Sequence, residues 1–193
     1  MSEDAAEDAR LIEESLAGDE RAFRQIIRKY QNGIFDLSLR MTGSRPDAED
    51  IAQETFLRLY QHLGDYKKEH KLSNWIYTIA LNRCRSLLRK RKVLRFLSLE
   101  RLFASGDDDD RAPPEPVSSE PMPDSGLEKE ASVALAQKMV DSLPDKLREP
   151  FILRHIKHLS YKEISKILHL SMASVKVRLH RAKSFLWKKF GKL

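Results

Sequence analysis

The sequence predicts an all-α fold of two small helical domains joined by a flexible acidic linker. Glycine is scarce, with 7 residues in 193, and 33% of the residues are charged, which favours helices over a β-sandwich. Apolar residues recur at intervals of three and four, and no alternating run of convincing length occurs. A segment rich in proline and aspartate interrupts this pattern and divides the chain.

The net charge changes sign twice along the chain. It is +3 for residues 1–95, −6 for residues 96–127 and +9 for residues 128–193. Within this segment, the stretch SGDDDDRAPPEPVSSEPMPDSG contains five of the eight prolines and almost nothing apolar, so it cannot offset the entropy of ordering. We therefore predict domains at 1–95 and 128–193 with a linker between them. Each basic end is expected to bind a polyanion.

Composition also indicates in which cellular compartment the protein resides and whether it spans a membrane. The single cysteine, Cys84, excludes an intramolecular disulfide and agrees with a reducing cytosol. The first ten residues, MSEDAAEDAR, are acidic where a signal peptide would be basic and then apolar. The longest uncharged run is about half of the roughly 20 residues that a membrane span needs. We expect a soluble intracellular protein with no membrane segment, cofactor or metal.

Helical periodicity organises the first domain. Apolar residues from Ala22 to Tyr30 repeat at three and four, and the pattern continues to Gly43. Pro46 then marks a first helical turn, and the acids that follow it suit the helix dipole. The resulting helix, PDAEDIAQETFLRLYQHL, is separated from the next one by the polar loop DYKKEHKLS.

The most informative stretch is SNWIYTIALNRCRSLLRKRK, residues 73–92. At 100° per residue, its core side takes the apolar residues from Ile76 to Leu87. A different face carries Trp75, Thr78, Asn82, Arg85 and Arg89. An indole, an amide and two guanidiniums suit base stacking and contacts to base edges and phosphates. The alternative is that the tryptophan simply caps a small core.

The second domain ends in a predicted helix-turn-helix. Residues 127–143 predict a helix that stops at Pro144, and residues 145–157 predict another. The stretch SYKEISKILHLSMASVKVRLHRAK then has the apolar spacing of that motif. Ser171 is a natural N-cap for its second helix. His169 occupies the turn position where glycine is usual, and histidine tolerates positive φ better than most residues.

The second helix of this motif has a basic outer side. From Ser171 onward there are seven basic residues and no acid. With the apolar stripe inside, the outer side carries Ser174, Val177, Arg178, Arg181 and Lys188. Such a helix can enter a major groove, where arginine and lysine contact guanine edges and phosphates. A basic helical hairpin with a solvated face is the alternative.

The order of these motifs resembles a known family. The matching motifs extend over about residues 8–190. In chain order they are an apolar helix pair, DAEDIAQETFLRLYQHL, a loop, WIYTIALNRCRSLLRKRK, an acidic linker, LPDKLREPFILRHIKHLSYKEISKIL and the helix-turn-helix. The chain is similar to bacterial RNA polymerase sigma factors of the extracytoplasmic-function (ECF, sigma-70 family, RpoE-like) type. The resemblance implies a specificity subunit, not an enzyme, with a region 2-like and a region 4-like domain.

For the region 2-like domain the resemblance implies two tasks. One is docking on the β′ coiled coil of core polymerase, and the matching positions are Asp47, Asp50, Gln53, Glu54 and Phe56. The other is recognition and melting of the −10 promoter element. That role falls on Lys67, Lys68, His70, Lys71, Ser73, Asn74, Trp75, Tyr77, Asn82, Arg85 and Arg89.

For the region 4-like domain the resemblance implies reading of the −35 element. The matching positions are Ser174, Lys176, Val177, Arg178, Arg181 and Lys183. Further implied partners are the polymerase β flap and an anti-sigma factor. The implied location is the bacterial cytoplasm, with the nucleoid when in holoenzyme. Met172 and Ala173 replace a Pro-Gly pair that is common in relatives before this helix. The expected fold is unchanged, but the promoter sequence that relatives recognise does not carry over to this chain.

Two other functions fit part of the sequence. A DNA-binding regulator with a helical sensor domain would lack a polymerase dock and be indifferent to Asp50 and Glu54. A small recombinase or nuclease would need a nucleophile or metal-binding acids held on a scaffold. The acids of residues 47–54 lie near the start of a helix, where acids usually serve the helix dipole. No Walker-type glycine loop is present.

Overall fold

The computed structural model describes residues 3–67, 70–104 and 127–191. All regular structure in these residues is helical, which confirms the all-α prediction. The first domain contains helices α1 (Glu3–Leu16), α2 (Glu20–Thr42), α3 (Arg45–Gln61) and α4 (Leu72–Ala104), with a 3₁₀ turn at Leu63–Asp65. The second domain contains α5 (Leu127–Ser142), α6 (Asp145–His155), α7 (Tyr161–Leu168) and α8 (Met172–Phe190).

Local capping positions α2 and α3 in the first domain. The Asp19 carboxylate accepts the backbone N–H of Arg21 at 2.7 Å and begins α2. Gly43 ends it at φ 68°, a left-handed conformation that glycine adopts without steric cost. Ser44 then caps α3, with Pro46 in its first turn as predicted. The tight turn makes α2 and α3 antiparallel neighbours.

Helix α4 contains the whole stretch 73–92 and turns its predicted core side inward. Ile76, Ala80 and Cys84 are completely buried, as is Leu81 beside them. The helix continues to Ala104, although the linker was predicted to begin at residue 96. The residues concerned, FLSLERLFA, include no proline or glycine and have adequate helix propensity. Residues 105–126 of the predicted linker lie outside the described residues.

The helix-turn-helix forms in the second domain as predicted. Ser160 and Glu163 make a reciprocal capping box at the start of α7. The turn residue His169 has φ 53°, and Ser171 caps α8 by accepting the backbone N–H of Ser174 at 3.1 Å. The buried stripe of α8 consists of Val175, Leu179, Ala182 and Leu186.

The two domains pack against each other. One continuous cluster of buried apolar side chains includes residues of α2 and α4 together with residues of α6, α7 and α8. Helix α4 contacts α7, and α2 contacts α5 and α6. Arg40 on α2 donates to the Gln137 side chain on α5 at 3.3 Å. No helix in the described residues is long and apolar enough to span a membrane.

Candidate nucleic-acid interface

An aromatic pair lies at the start of α4. The rings of Tyr66 and Trp75 stack with centroids 5.7 Å apart and planes inclined by 27°. The Tyr66 hydroxyl donates to the backbone carbonyl of His70 and so ties the loop before α4 to the pair. The indole of Trp75 lines a groove of about 580 Å³, together with Lys67 and His70. An aromatic ring held in place beside cations is suited to stacking on a base.

Two of the predicted −10 residues lie inside the first domain in this structure. Asn74 is only 7% exposed, and its Oδ1 atom has no hydrogen-bond partner among the residues that the structure describes. Tyr77 is partly buried against α2, where its hydroxyl lies 3.0 Å from the position that a Cβ on Gly33 would take. Burial raises the pKa of the Tyr77 hydroxyl. Ser73 and Trp75 are intermediate in exposure, and Lys68 lies outside the described residues.

One cation of α4, Arg85, and one cation of the loop before it, Lys71, contact the second domain. Arg85 donates to both carboxylate oxygens of Glu149 on α6, at 2.6 and 2.7 Å. The same guanidinium donates to Asn82 at 3.0 Å. The hydrogen bonds to Glu149 raise the pKa of Arg85, so its charge is permanent. Lys71 donates to Glu163 on α7 at 2.7 Å.

The predicted −35 residues all lie outside the buried stripe of α8. The side chains of Lys176, Val177, Arg181 and Lys183 are exposed, and those of Ser174 and Arg178 are half-buried. Among the residues that the structure describes, no carboxylate pairs with any of the four cations of this set. The face opposite the buried stripe is therefore basic and open, as entry into a major groove requires.

The predicted polymerase-docking residues on α3 separate into exposed, buried and ion-paired side chains. Asp50 and Gln53 are exposed, whereas Phe56 is only 7% exposed. The other two acids of the set, Asp47 and Glu54, are paired with cations of α4. Arg91 contacts the Asp47 carboxylate at 2.6 Å, and Arg83 donates to Glu54. These pairs hold α3 and α4 together and leave Asp50 as the predicted docking acid that projects freely.

An apolar groove that Gln53 also lines was missed in the sequence analysis. It has a volume of about 580 Å³ and is lined by Phe23 and Ile27 of α2 and by Leu57 and Tyr60 of α3. Leu57 is 56% exposed and Tyr60 57% exposed, although both are large apolar side chains. Their spacing of three residues, outside the buried stripe of α3, is the sequence signal that would have found this groove.

Other reactive side chains in the described residues do not form a site. Cys84 is buried. Burial raises the pKa of its thiol to about 12, so the thiolate is not formed near neutral pH. No group of three or more His, Cys, Asp or Glu side chains in residues 3–67, 70–104 and 127–191 is arranged to hold a metal ion.

Comparison with known proteins identifies both domains. Residues 26–93 match the family model of sigma-70 region 2, and residues 134–186 match that of sigma-70 region 4. The chain is 34% identical over 187 residues to the ECF RNA polymerase sigma factor SigW of Bacillus subtilis, covering 94% of this chain and 96% of the relative. It is 28% identical over 188 residues to the ECF sigma-E factor of Escherichia coli, covering 90% and 88%.

Solved structures show the same fold. CnrH, determined in complex with the cytosolic domain of CnrY, superposes with a TM-score of 0.69 at 20% identity and covers 97% of both chains. The sigma factor RpoE of Bartonella quintana, determined in complex with the anti-sigma factor NepR, has a TM-score of 0.66 at 20% identity and covers 88% of this chain and 97% of its own. Because the identity to SigW extends over nearly the whole length, the chain belongs to the ECF group of sigma-70 family RNA polymerase sigma factors.

Proposed function

We propose that this sigma factor divides promoter-specific initiation among three surfaces. Helix α3 docks on core RNA polymerase, α8 reads the −35 element, and the start of α4 captures unpaired bases of the −10 element. The observation that carries the proposal is the Trp75 indole, which Tyr66 holds beside a groove at the start of a basic helix. The open cationic face of α8 supplies a second, independent contact with DNA.

The docking surface has the composition of a protein interface. Leu57 and Tyr60 form an exposed apolar centre, and the polar side chain of Gln53 lines the same groove. The exposed acid Asp50 precedes Gln53 by three residues on the same helix. Interfaces commonly combine an apolar core containing an aromatic residue with a polar rim. We expect the β′ coiled coil to cover this centre. The β flap is the corresponding partner of the second domain.

Capture of bases can offset the cost of melting. Opening a duplex step costs about 0.6–2 kcal/mol, and stacking a base on an aromatic side chain returns roughly 1–3 kcal/mol. The Tyr66 contact fixes the orientation of Trp75 before DNA arrives, which lowers the entropy cost of capture. A few captured bases therefore hold a locally opened promoter without ATP. The chain forms no covalent bond, and polymerase performs the chemistry.

The remaining expectations concern partner and location. The solved sigma factor of Bartonella quintana is bound to an anti-sigma factor, which supports a similar inhibitor for this chain. We place the protein in the bacterial cytoplasm with RNA polymerase, and at the nucleoid as holoenzyme. An RpoE-like promoter specificity stays a prediction, since identity to the sigma-E factor of Escherichia coli is 28%, compared with 34% to SigW.

Transcription by purified core polymerase tests the proposal. The template is a library of genomic fragments, and the proteins are the wild type, Asp50→Ala and Trp75→Ala. We expect the wild type to start RNA at discrete sites and Asp50→Ala to bind core polymerase weakly. Trp75→Ala should bind core normally but open promoters poorly, as measured by permanganate reactivity of unpaired thymines.

Two matched variants control for charge and for tryptophan loss. Asp145→Ala removes another exposed acid, at the start of α6, and should bind core as the wild type does. Trp187→Ala removes the second tryptophan of the chain, which is 73% exposed on α8, and should open promoters normally once bound. If the wild type binds duplex DNA but neither binds core nor initiates, the protein is a conventional regulator and the proposal is wrong.

A further inference from the structure

We infer that the end of helix α4 contacts the promoter duplex just upstream of the −10 element, where Val93 and Phe96 meet the methyl groups of thymines. The inference rests on the proposed role of α4 in −10 recognition and extends it beyond the family match. The region 2 model matches residues 26–93, whereas α4 continues to Ala104. We call residues 92–98 the α4 extension.

The α4 extension exposes large apolar side chains. All side chains of residues 92–98 are exposed. The apolar ones are 53%, 55%, 61% and 48% exposed, in the order Val93, Leu94, Phe96 and Leu97. A contiguous apolar surface of this kind marks a binding site, whereas single exposed apolar residues do not. A partner is therefore expected to cover this part of the helix.

Two of these side chains continue the predicted nucleic-acid face of α4. At about 100° per residue, Val93 and Phe96 fall within about 40° of Arg89 around the helix. Leu94 instead follows the buried side that includes Ile76, beyond the end of the core. At successive spacings of three or four residues, the extended face carries Trp75, Thr78, Asn82, Arg85, Arg89, Val93 and Phe96.

A contact between α4 and α3 turns this face outward. Arg91 contacts the Asp47 carboxylate at 2.6 Å, and the Asp47 side chain is only 15% exposed. Val93 and Phe96 lie about 140–160° from Arg91 around the helix, at about 100° per residue. The side of α4 that carries them therefore points away from α3, where a duplex can reach it.

The charge around the α4 extension fits a DNA partner. From Leu72 to Leu99 the helix has seven basic residues and no acid. Lys90 and Lys92 are exposed, and they lie on opposite sides of the extended face, at about 100° and 60° from Arg89. Apolar side chains on a DNA-binding helix contact the C5-methyl group of thymine, and cations beside them contact phosphates. This combination predicts contact with thymines in a major groove.

The length of α4 places the extension on double-stranded DNA. A helix rises about 1.5 Å per residue, so Phe96 lies about 10 Å beyond Arg89. That distance corresponds to about three base pairs at roughly 3.4 Å each. Helix α4 ends at Ala104, and the chain continues to the second domain, whose α8 is proposed to read the −35 element. The end of α4 therefore lies on the upstream side of the melted bases, where the promoter is duplex.

Binding of holoenzyme to a fluorescein-labelled fork-junction DNA tests the contact. The probe carries the −10 region of a mapped start site, followed upstream by A·T pairs and then G·C pairs, and it ends before the −35 element. We expect Val93→Ala and Phe96→Ala each to weaken binding about fivefold. Leu94→Ala is the matched control, because it removes a side chain of similar exposure from the other side of the helix, and it should bind as the wild type does. Thermal unfolding checks that all three variants fold.

A second probe tests the methyl contact directly. Deoxyuridine replaces every thymine of its upstream duplex, which keeps the base pairs and phosphates and removes only the C5-methyl groups. We expect the wild type to bind this probe about fivefold more weakly than the thymine probe. The double variant of Val93→Ala and Phe96→Ala should bind both probes equally.

Three outcomes would overturn the inference. In the first, Leu94→Ala weakens binding as much as Phe96→Ala, or no variant weakens it. In the second, the wild type binds the thymine and deoxyuridine probes equally. In the third, Val93→Ala and Phe96→Ala weaken binding to core polymerase without DNA, which would make the apolar surface a protein contact.

Failure of the proposed function gives a different result. If Trp75→Ala opens promoters normally, the indole does not capture bases of the −10 element. A loss of thymine discrimination in the double variant of Val93 and Phe96 would still support the duplex contact of the α4 extension.

Discussion

The two cationic faces of this sigma factor differ in what their charges contact. On α4 and the loop before it, Arg85 and Lys71 are paired with carboxylates of the second domain. On α8, Lys176 and Arg181 are exposed and have no carboxylate partner among the described residues. The sequence predicts that both faces bind nucleic acid. The two faces differ in pairing and not in exposure alone, because Lys71 and Arg89 on the α4 side are also exposed in this structure.

The difference shows that the affinity of a basic surface depends on its intramolecular competitors as well as its charge. A paired guanidinium must lose its carboxylate before it gains a phosphate, so part of the binding free energy is spent on the exchange. An unpaired cation on α8 incurs no such cost. We therefore expect DNA recognition by the free chain to depend mainly on the second domain.

The largest expected effect concerns the arginines of α8. Arg178→Ala and Arg181→Ala should each weaken binding to a duplex that contains the −35 region of a mapped start site by about 1–3 kcal/mol, or roughly 5- to 150-fold. Lys188→Ala removes one charge near the end of the same helix and should have a smaller effect. Fluorescence anisotropy of the three variants measures the difference. Equal, small losses in all three would mean that α8 contacts only phosphates.

A second prediction concerns the aromatic pair behind the −10 surface. Tyr66→Ala removes the ring that stacks on Trp75, and aromatic pairs contribute about 0.5–1.5 kcal/mol beyond their burial. Tyr66→Phe keeps the ring and loses only the hydrogen bond to His70. We expect Tyr66→Ala to lower promoter opening severalfold and Tyr66→Phe to lower it less. Comparable loss in both variants would show that the hydroxyl, and not the stacked ring, positions Trp75.

The fold was predictable where the determining interactions are local. Apolar spacing predicted the buried side of α4, and Ser171 was identified as the N-cap of α8 because a cap acts within three residues. The extension of α4 to Ala104 was missed, since the charge pattern, and not helix propensity, was used to place the start of the linker. The burial of Asn74 was also missed, because helical periodicity does not show which neighbours cover a first turn.

The residues of the candidate site were easier to predict than the ion pairs that they form. Glu149 and Glu163 are ordinary acids in sequence, 64 and 92 residues from the cations that they pair with. No local pattern relates residues at that distance, and the pairing appears only when the domains pack together. The apolar groove at Leu57 and Tyr60 was missed for a related reason, since it forms between two helices.

A third prediction uses pH to examine the ion pair between Lys71 and Glu163. Burial tends to raise the pKa of Glu163, but hydrogen bonds from Lys71 and Ser160 outweigh burial and lower it to about 2 from an ordinary value of 4.5. Because the folded-state pKa is depressed, its stabilising contribution is complete above the ordinary value and is lost as pH falls towards 2. Urea unfolding of the wild type and Glu163→Gln should therefore differ by a constant amount near neutral pH. The difference should shrink in acid, and a difference that stays constant down to about pH 3 would contradict the assignment.

The smallest expected effect concerns the turn that orients α8. His169 has φ 53°, and a left-handed conformation costs a residue with a Cβ roughly 1–2 kcal/mol. Glycine removes that cost but loses about 0.4–1 kcal/mol through the greater freedom of its unfolded chain. We expect His169→Gly to stabilise the protein by about 0.5 kcal/mol in thermal or urea unfolding.

His158 provides a matched position for this last prediction, because its φ of 55° is nearly the same and it lies in the loop before α7. His158→Gly should give a similar gain in stability if backbone strain is the cause. His169 differs in that its side chain lines the groove beside Trp75. A gain at His158 together with a loss at His169 would show that the His169 side chain contributes to the contact between the two domains, and small-angle X-ray scattering would then show a less compact chain for His169→Gly alone.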